Sequence, residues 1–263
     1  MTAMRAASDP RNRPAPGYAQ GMTGPAAQRT VAVDDYIKAI YACDERGEGP
    51  ATTTGLARRL GVGASSVSGM LRKLAEQGFI EHRPYGGVRL TADGTSAALD
   101  VLRRHRLLET YLVRELGYGW DEVHDEAEVL EHHVSPTLLD RMDARLGHPR
   151  FDPHGDPIPA ADGTVATFSG RRFATLEPGD HGRLVRVDDT EPAMLTWLRE
   201  QSITLDVRLE LVSRRPFGGP FLVRVSDGTA ADAGREIDLG PELADSLWVD
   251  DVVEGVFHRA QAT

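Results

Sequence analysis

The stretch Val123-His124-Asp125-Glu126-Ala127-Glu128-Val129-Leu130-Glu131-His132-His133 sets imidazoles and carboxylates at helical spacing. His124 and Glu128 are four residues apart, and Glu131 and His132 follow Glu128 by three and four. On an α-helix those offsets stack side chains one turn apart, so several lone-pair donors can converge on one cation. Upstream, His105 and Glu109 repeat the four-residue offset, and Asp35 stands just before the apolar pair Tyr36-Ile37. Acidic residues beside a histidine are ordinarily a solvated helix face. Two such pairs on one helix and a third on its neighbour point instead to divalent-metal chemistry. His133 falls off the shared face and is set aside. The chain lacks the His-Glu-x-x-His of a zinc peptidase and the paired Glu-x-x-His of a di-iron bundle.

These donors need helices to hold them. Apolar periodicity predicts a first helix from Val31, with Ile37, Ile40 and Tyr41 on one face. A second helix is expected from about Thr53 to Leu60, capped by Thr52 or Thr53 and broken by Gly61. A third, Ala64 to Gln77, carries Val67, Met70, Leu71 and Leu74 on one face and ends at Gly78. Two short strands, Phe79–Arg83 and Val88–Thr91, flank the turn Pro84-Tyr85-Gly86-Gly87. Helix, helix, turn, helix, hairpin is a winged helix-turn-helix. Two longer helices are expected, about Asp93–Leu116 and Glu122–Leu146. The latter would carry His124, Glu128, Glu131 and His132 together. A Pro/Gly/Asp-rich linker follows. Short strands at Arg183–Val187, Val207–Val212, Phe221–Val225 and Val252–Phe257, with one helix at Glu191–Glu200, suggest a small β-barrel.

The third helix would be the reading element. Its N-terminal part offers Ser65, Ser66 and Ser68 for phosphate and base-edge contacts, with Arg72 and Lys73 one turn on for phosphates. Arg83, Tyr85 and Arg89 of the wing could reach the backbone or the minor groove. The chain as a whole carries a formal charge of −10, which alone argues against nucleic acid. From Thr52 to Leu90, however, six basic residues face only two acidic ones, a local footprint suited to DNA. The same element could serve as a packing unit or bind protein.

Across 263 residues there is room for two or three small domains. No apolar run reaches the roughly 20 residues of a membrane helix, and the N-terminus lacks a signal-peptide layout, so no membrane partner and a cytoplasmic location are expected. Cys43 is the single cysteine, which rules out an internal disulfide or a thiolate cluster within one chain.

Three segments resemble the diphtheria-toxin-repressor family of iron- and manganese-responsive regulators. They are Asp34-Asp35-Tyr36-Ile37-Lys38-Ala39-Ile40-Tyr41, Arg104-His105-Arg106-Leu107-Leu108-Glu109, and the acidic-histidine helix from His124 to His133. Gly155-Asp156-Pro157-Ile158-Pro159 is also similar to the family's linker. The resemblance runs from about Val33 to Pro159. It implies a multi-domain chain, mainly α at its N-terminal part (winged helix-turn-helix plus helical dimerisation domain), with a C-terminal SH3-like β-barrel. It implies a homodimer that binds palindromic operator DNA and represses metal-uptake genes. By position, the primary metal site would be Asp35, Glu128, Glu131 and His132. The ancillary site would be His105, Glu109 and His124, completed by Asp189 from the barrel, with Asp188 and Glu191 as rivals. Iron-type members carry Met and Cys where this chain has Asp35 and Glu128. Hard oxygen donors there favour Mn(II), while Fe(II), Co(II) or Zn(II) could occupy the same donors in vitro.

The domains expected are a disordered tail (1–29), a winged helix (30–92), a metal-binding and dimerisation domain (93–147), a linker (148–165) and the C-terminal domain (166–263). Two other readings stay open: a winged-helix regulator of an organic ligand or redox signal, the latter through Cys43, and a helical metallohydrolase. For the hydrolase, no nucleophile with a base and oxyanion site is apparent, and the protein is not expected to be an enzyme.

Overall fold

The computed structural model describes residues 29–47, 49–83, 87–229 and 232–253. All but the last residue of the expected tail, Tyr85 at the wing tip and the end of the strand expected at Val252–Phe257 lie outside these residues, and of Arg83 only the backbone is described. The elements below all fall within Val31–Thr263.

The N-terminal part is α1 (Val31–Glu45), α2 (Thr53–Arg59), α3 (Ala64–Glu76) and the hairpin β1 (Ile80–Arg83) with β2 (Gly87–Leu90). Thr52 caps α2 by accepting from the Gly55 amide at 3.0 Å. Ile37 and Ile40 of α1, Leu56 of α2, Val67 and Leu74 of α3 and Val88 of the wing fill one core with Ala98 and Val101 of the next helix. That helix, α4 (Ala92–Leu116), starts against the wing. A side chain at Gly94 would come within 1.9 Å of the Phe79 carbonyl, so only glycine allows this approach.

The single helix expected over Glu122–Leu146 is two. α5 (Val123–Leu130) ends at Glu131, and α6 (Pro136–Leu146) begins after Ser135, whose hydroxyl accepts from the Leu138 amide. A capping serine followed by proline at the first helical position starts a new helix rather than continuing the old one. His132 therefore lies in the connecting turn.

The segment expected to be a linker is packed. Asp152, His154, Asp156 and Ile158 are all buried. Arg103 and Arg106 of α4 donate to the carbonyls of Pro159 and Pro157.

The C-terminal part comprises β3 (Arg171–Arg172), a short 3-10 turn (Phe173–Thr175), β4 (His181–Val187), α7 (Pro192–Glu200), β5 (Arg208–Arg214), β6 (Phe221–Ser226), β7 (Arg235–Leu239), α8 (Pro241–Asp245) and β8 (Leu247–Val253). The strands form one antiparallel sheet in the order β3-β8-β4-β5-β6-β7. This corrects the barrel expectation: among the described residues the sheet does not close, with β3 and β7 at its edges. Register shifts in the β4–β8 and β5–β6 pairs bend the strands. Leu195 and Leu198 of α7, Ala244 of α8 and Phe173 complete the core, so helices cover what a closed barrel would enclose. Among the described residues no helix is long and apolar enough to cross a membrane.

Candidate metal centre and DNA-reading face

α4 presents His105 and Glu109 one turn apart, both buried, toward α5. His124 and Glu128 come from α5, Glu131 from its end and His132 from the turn after it. α1 contributes Asp35 and Lys38, and the connection from β4 to α7 contributes Asp189.

One cluster joins His105, Glu109, His124 and Asp189, each with a donor atom within 4.8 Å of the others. Glu109 Oε1 stands 3.0 Å from His105 Nε2 and 3.2 Å from His124 Nδ1. Asp189 Oδ2 lies 3.5 Å from His124 Nδ1. The neighbouring candidates point elsewhere. Asp188 accepts from both the amide and the hydroxyl of Thr190 and pairs with Arg46, and Glu191 is exposed.

A second cluster joins Asp35, Glu131 and His132. Asp35 Oδ1 is 3.2 Å from His132 Nε2, and Glu131 Oε1 is 3.5 Å from it. Glu131 is fully buried, and its other oxygen lies 2.6 Å from His105 Nδ1, which links the two clusters. Glu128 does not sit with Asp35 and His132 as the resemblance implied. It groups with His105 and Glu131, its side chain 36% exposed. Between these carboxylates stands Lys38, whose ammonium lies 2.6 Å from Glu128 Oε1 and 2.7 Å from Glu131 Oε1.

The charges are tightly matched. Burial alone would push the His105 imidazole down, but the Glu109 carboxylate and hydrogen bonds with Glu109 and Glu131 hold it up, at about 10. Burial would likewise raise Glu109, yet His105, His124 and His154 hold it well below the usual carboxylate range. Burial lifts Asp35 despite His132 and Lys38. Lys38 is drawn up by Glu131 and Glu128 against the opposing effect of burial. Carboxylates and imidazoles with only nitrogen and oxygen donors, several fully buried, form a set that a divalent cation fits. His132 supports that fit with Nε2, which faces the carboxylates of Asp35 and Glu131 at 3.2 and 3.5 Å.

Lys38 and His154 were missed by sequence reasoning. Lys38 follows Asp35 by three residues and so shares its face of α1, a signal that was present. His154 was hidden in a segment whose Pro/Gly/Asp composition reads as loose loop.

Within the winged helix, α3 buries Val67, Leu71 and Leu74 and leaves Ser65, Ser66, Ser68, Arg72 and Lys73 exposed, as is Arg89 on β2. Ser68 turns its hydroxyl back to the Ala64 carbonyl. Cys43 is buried against the Ala39 carbonyl, which disfavours pairing between chains.

An open, basic reading helix that shares a core with the helix bearing Asp35 makes this a metal-sensing, DNA-binding transcriptional regulator. Family models agree along the length: an iron-dependent repressor N-terminal DNA-binding domain matches residues 30–88, an iron-dependent repressor metal-binding and dimerisation domain matches 91–160, and a FeoA domain matches 172–251. The iron-dependent repressor IdeR of Mycobacterium leprae is 34% identical over 200 residues, covering 72% of this chain and 86% of that protein. The transcriptional regulator MntR of Escherichia coli is 40% identical over 114 residues, covering 43% of this chain and 72% of that protein. A solved manganese-dependent transcriptional repressor in complex with manganese superposes with a TM-score of 0.77 at 49% identity, covering 82% of this chain and 98% of that one. The chain belongs to the diphtheria-toxin-repressor family of metal-dependent repressors.

Proposed function

We propose that this repressor answers to Mn(II), held by Asp35, Glu131 and His132 with Glu128 beside them, and by His105, Glu109, His124 and Asp189. Supporting manganese are the oxygen-rich donor set, without sulfur, and the likeness to a manganese-dependent repressor at 49% identity. Fe(II), Co(II) and Zn(II) remain ions that the same donors could bind in vitro. The observation that carries the reading is the approach of Asp35 Oδ1 to within 3.2 Å of His132 Nε2. It joins the first helix of the reading domain to the helices behind it.

A divalent ion among these residues supplies the positive charge that offsets the facing carboxylates. Asp35 is then the residue that ties α1, and with it the shared core of α3, to α4 and α5. Without an ion, Lys38 of α1 alone offsets Glu128 and Glu131, at 2.6 and 2.7 Å, and Asp35 adds a further carboxylate that an ion would balance. The functional division follows the same line. A winged helix (30–92) reads DNA, a helical part (93–147) holds ions and dimerises, and a packed connection (148–165) leads to the C-terminal part (166–263), which lends Asp189.

A homodimer presents two reading helices to a palindromic operator. Ser65, Ser66, Ser68, Arg72 and Lys73 on α3 would meet the groove and backbone, with Arg83, Tyr85 and Arg89 on the wing. Such a protein works in the cytoplasm with the chromosome and represses metal-uptake genes. Binding is regulation without turnover. Operator DNA selected from random duplexes should be retarded in a gel by protein with Mn²⁺ and released in EDTA. Equal affinity in both conditions would remove the mechanism.

A further inference from the structure

Arg46 lies in the turn that follows α1, its amide still bonded to the Ala42 carbonyl at 3.1 Å. Its guanidinium crosses to the connection between β4 and α7 and forks over two adjacent carboxylates. Nη1 lies 3.3 Å from Asp188 Oδ1, and Nη2 donates to Asp189 Oδ1 at 3.1 Å. The Arg46 carbonyl is engaged by the C-terminal part as well, accepting from Arg172 of β3 at 3.3 Å. An exposed ion pair contributes little, but the side chains of Arg46 and Asp189 are only 11% and 10% exposed, so water screens this one poorly.

Asp189 divides its two oxygens. Oδ1 takes the guanidinium, and Oδ2 lies 3.5 Å from His124 Nδ1 in the cluster with His105 and Glu109. The arginine thus engages Asp189 without blocking the oxygen beside His124. Asp188, one residue away, is a rival carboxylate. Its Oδ1 is occupied by the amide and hydroxyl of Thr190 at 3.0 and 2.6 Å, besides Arg46. The Asp188 amide donates to the Ser246 carbonyl at 2.9 Å, which fixes the backbone at the end of β4. A planar guanidinium suits a pair of carboxylates, since its nitrogens point in fixed directions where an ammonium is a single point of charge.

His105 and Glu109 come from α4, His124 from α5 and Asp189 from the C-terminal part, so none of the four belongs to the winged helix. Arg46 does. It stands eleven residues after Asp35, about three helical turns, and so shares its face. We infer that Arg46 is a positioning residue. Its fork turns Asp189 rather than Asp188 toward His124, completes the cluster of His105, Glu109 and His124, and ties that cluster to the winged helix. The inference rests on the reading of the protein as a metal sensor.

Titration calorimetry of the full chain with Mn²⁺ tests it. Arg46→Met should weaken one class of Mn²⁺ site about 10–100-fold, as loss of a group that orients a ligand does, and leave the class at Asp35–Glu131–His132 unchanged. In EDTA the same variant should exchange the Asp188 and Thr190 amide hydrogens faster, a readout that needs no ion. Asp189→Asn alone should weaken the same class, and adding it to Arg46→Met should cost little more, because the arginine acts through that carboxylate. Arg46→Lys, the milder change, keeps the charge without the fork and should lose part of the affinity. Losses that add, or either Arg46 variant binding Mn²⁺ as the parent does, overturn the inference and leave the sensor reading standing. A parent chain that binds no Mn²⁺ overturns both.

Discussion

The ammonium of Lys38 lies 2.7 Å from a carboxylate oxygen of Glu131, a fully buried residue at the far end of α5. With Glu128 at 2.6 Å, the lysine is a resident cation between two carboxylates that would otherwise repel one another. Lys38→Met should remove it. Loss of the lysine should cost about 2 kcal/mol in the metal-free protein, less than the roughly 3–5 kcal/mol of a fully stranded buried charge, because His105 still faces Glu131 at 2.6 Å. Thermal unfolding in EDTA should fall by about 4–8 °C. Mn²⁺ should bind more tightly to the variant, because no ammonium competes for Glu128 and Glu131. Calorimetry reads this directly, and an unchanged melting temperature with unchanged affinity would mean that the lysine is a bystander.

Asp35 is the only member of its cluster that comes from the winged helix. Asp35→Ala should weaken operator binding in Mn²⁺ about 10–100-fold, corresponding to a coupling of ~1–3 kcal/mol. Binding in EDTA should hardly change. Gel retardation with and without metal separates these effects, and an equal loss in both states would point to damage of the fold.

Glu128 combines partial exposure with two nitrogen neighbours, the ammonium of Lys38 and, at 3.4 Å, the imidazole of His124. Glu128→Cys replaces a hard oxygen by a soft sulfur and should shift the metal response toward Fe²⁺ and Zn²⁺. Operator retardation across a series of metal concentrations measures the order of potency. An identical order would show that Glu128 is not a ligand.

Arg72 lies on the exposed face of α3, clear of the core. Arg72→Ala should leave thermal stability within about 0.5 kcal/mol of the parent. The slope of log affinity against log salt should drop by about one, as for a lost phosphate contact. Retention of the full slope would place the arginine off the DNA.

Gly155 has a φ of +89°, and a side chain there would come within 2.0 Å of the Val185 carbonyl. This close passage lets the His154 carbonyl accept from the Val187 amide and seats the connection on β4. Gly155→Ala should destabilise the protein by about 2 kcal/mol or more, since left-handed backbone and steric overlap act together. Denaturant unfolding measures the loss, and a midpoint matching the parent would show that β4 yields locally.

The winged helix was legible in the sequence because each element carries a local signal. α2 has its Thr52 cap, α3 its apolar face at Val67, Leu71 and Leu74, and the open surface of α3 follows from the same period. The donors on α4 and α5 were legible for the same reason: four-residue offsets translate directly into a shared helical face. Local signals also hid things. Ser135-Pro136 marks a helix start, but the acidic-histidine run on one side and the amphipathic run on the other suggested continuity. What the sequence by itself determined, then, was which residues share a helix and which face of it is apolar, because backbone periodicity is a property of neighbours in the chain. Only the tertiary structure decided that Lys38 would stand between Glu128 and Glu131, that Asp189 rather than Asp188 would turn toward His124, and that His154 would be buried beside Glu109. Those relationships join residues tens of positions apart, and they are settled by how α1, α4, β4 and the packed connection meet, which no short-range pattern encodes.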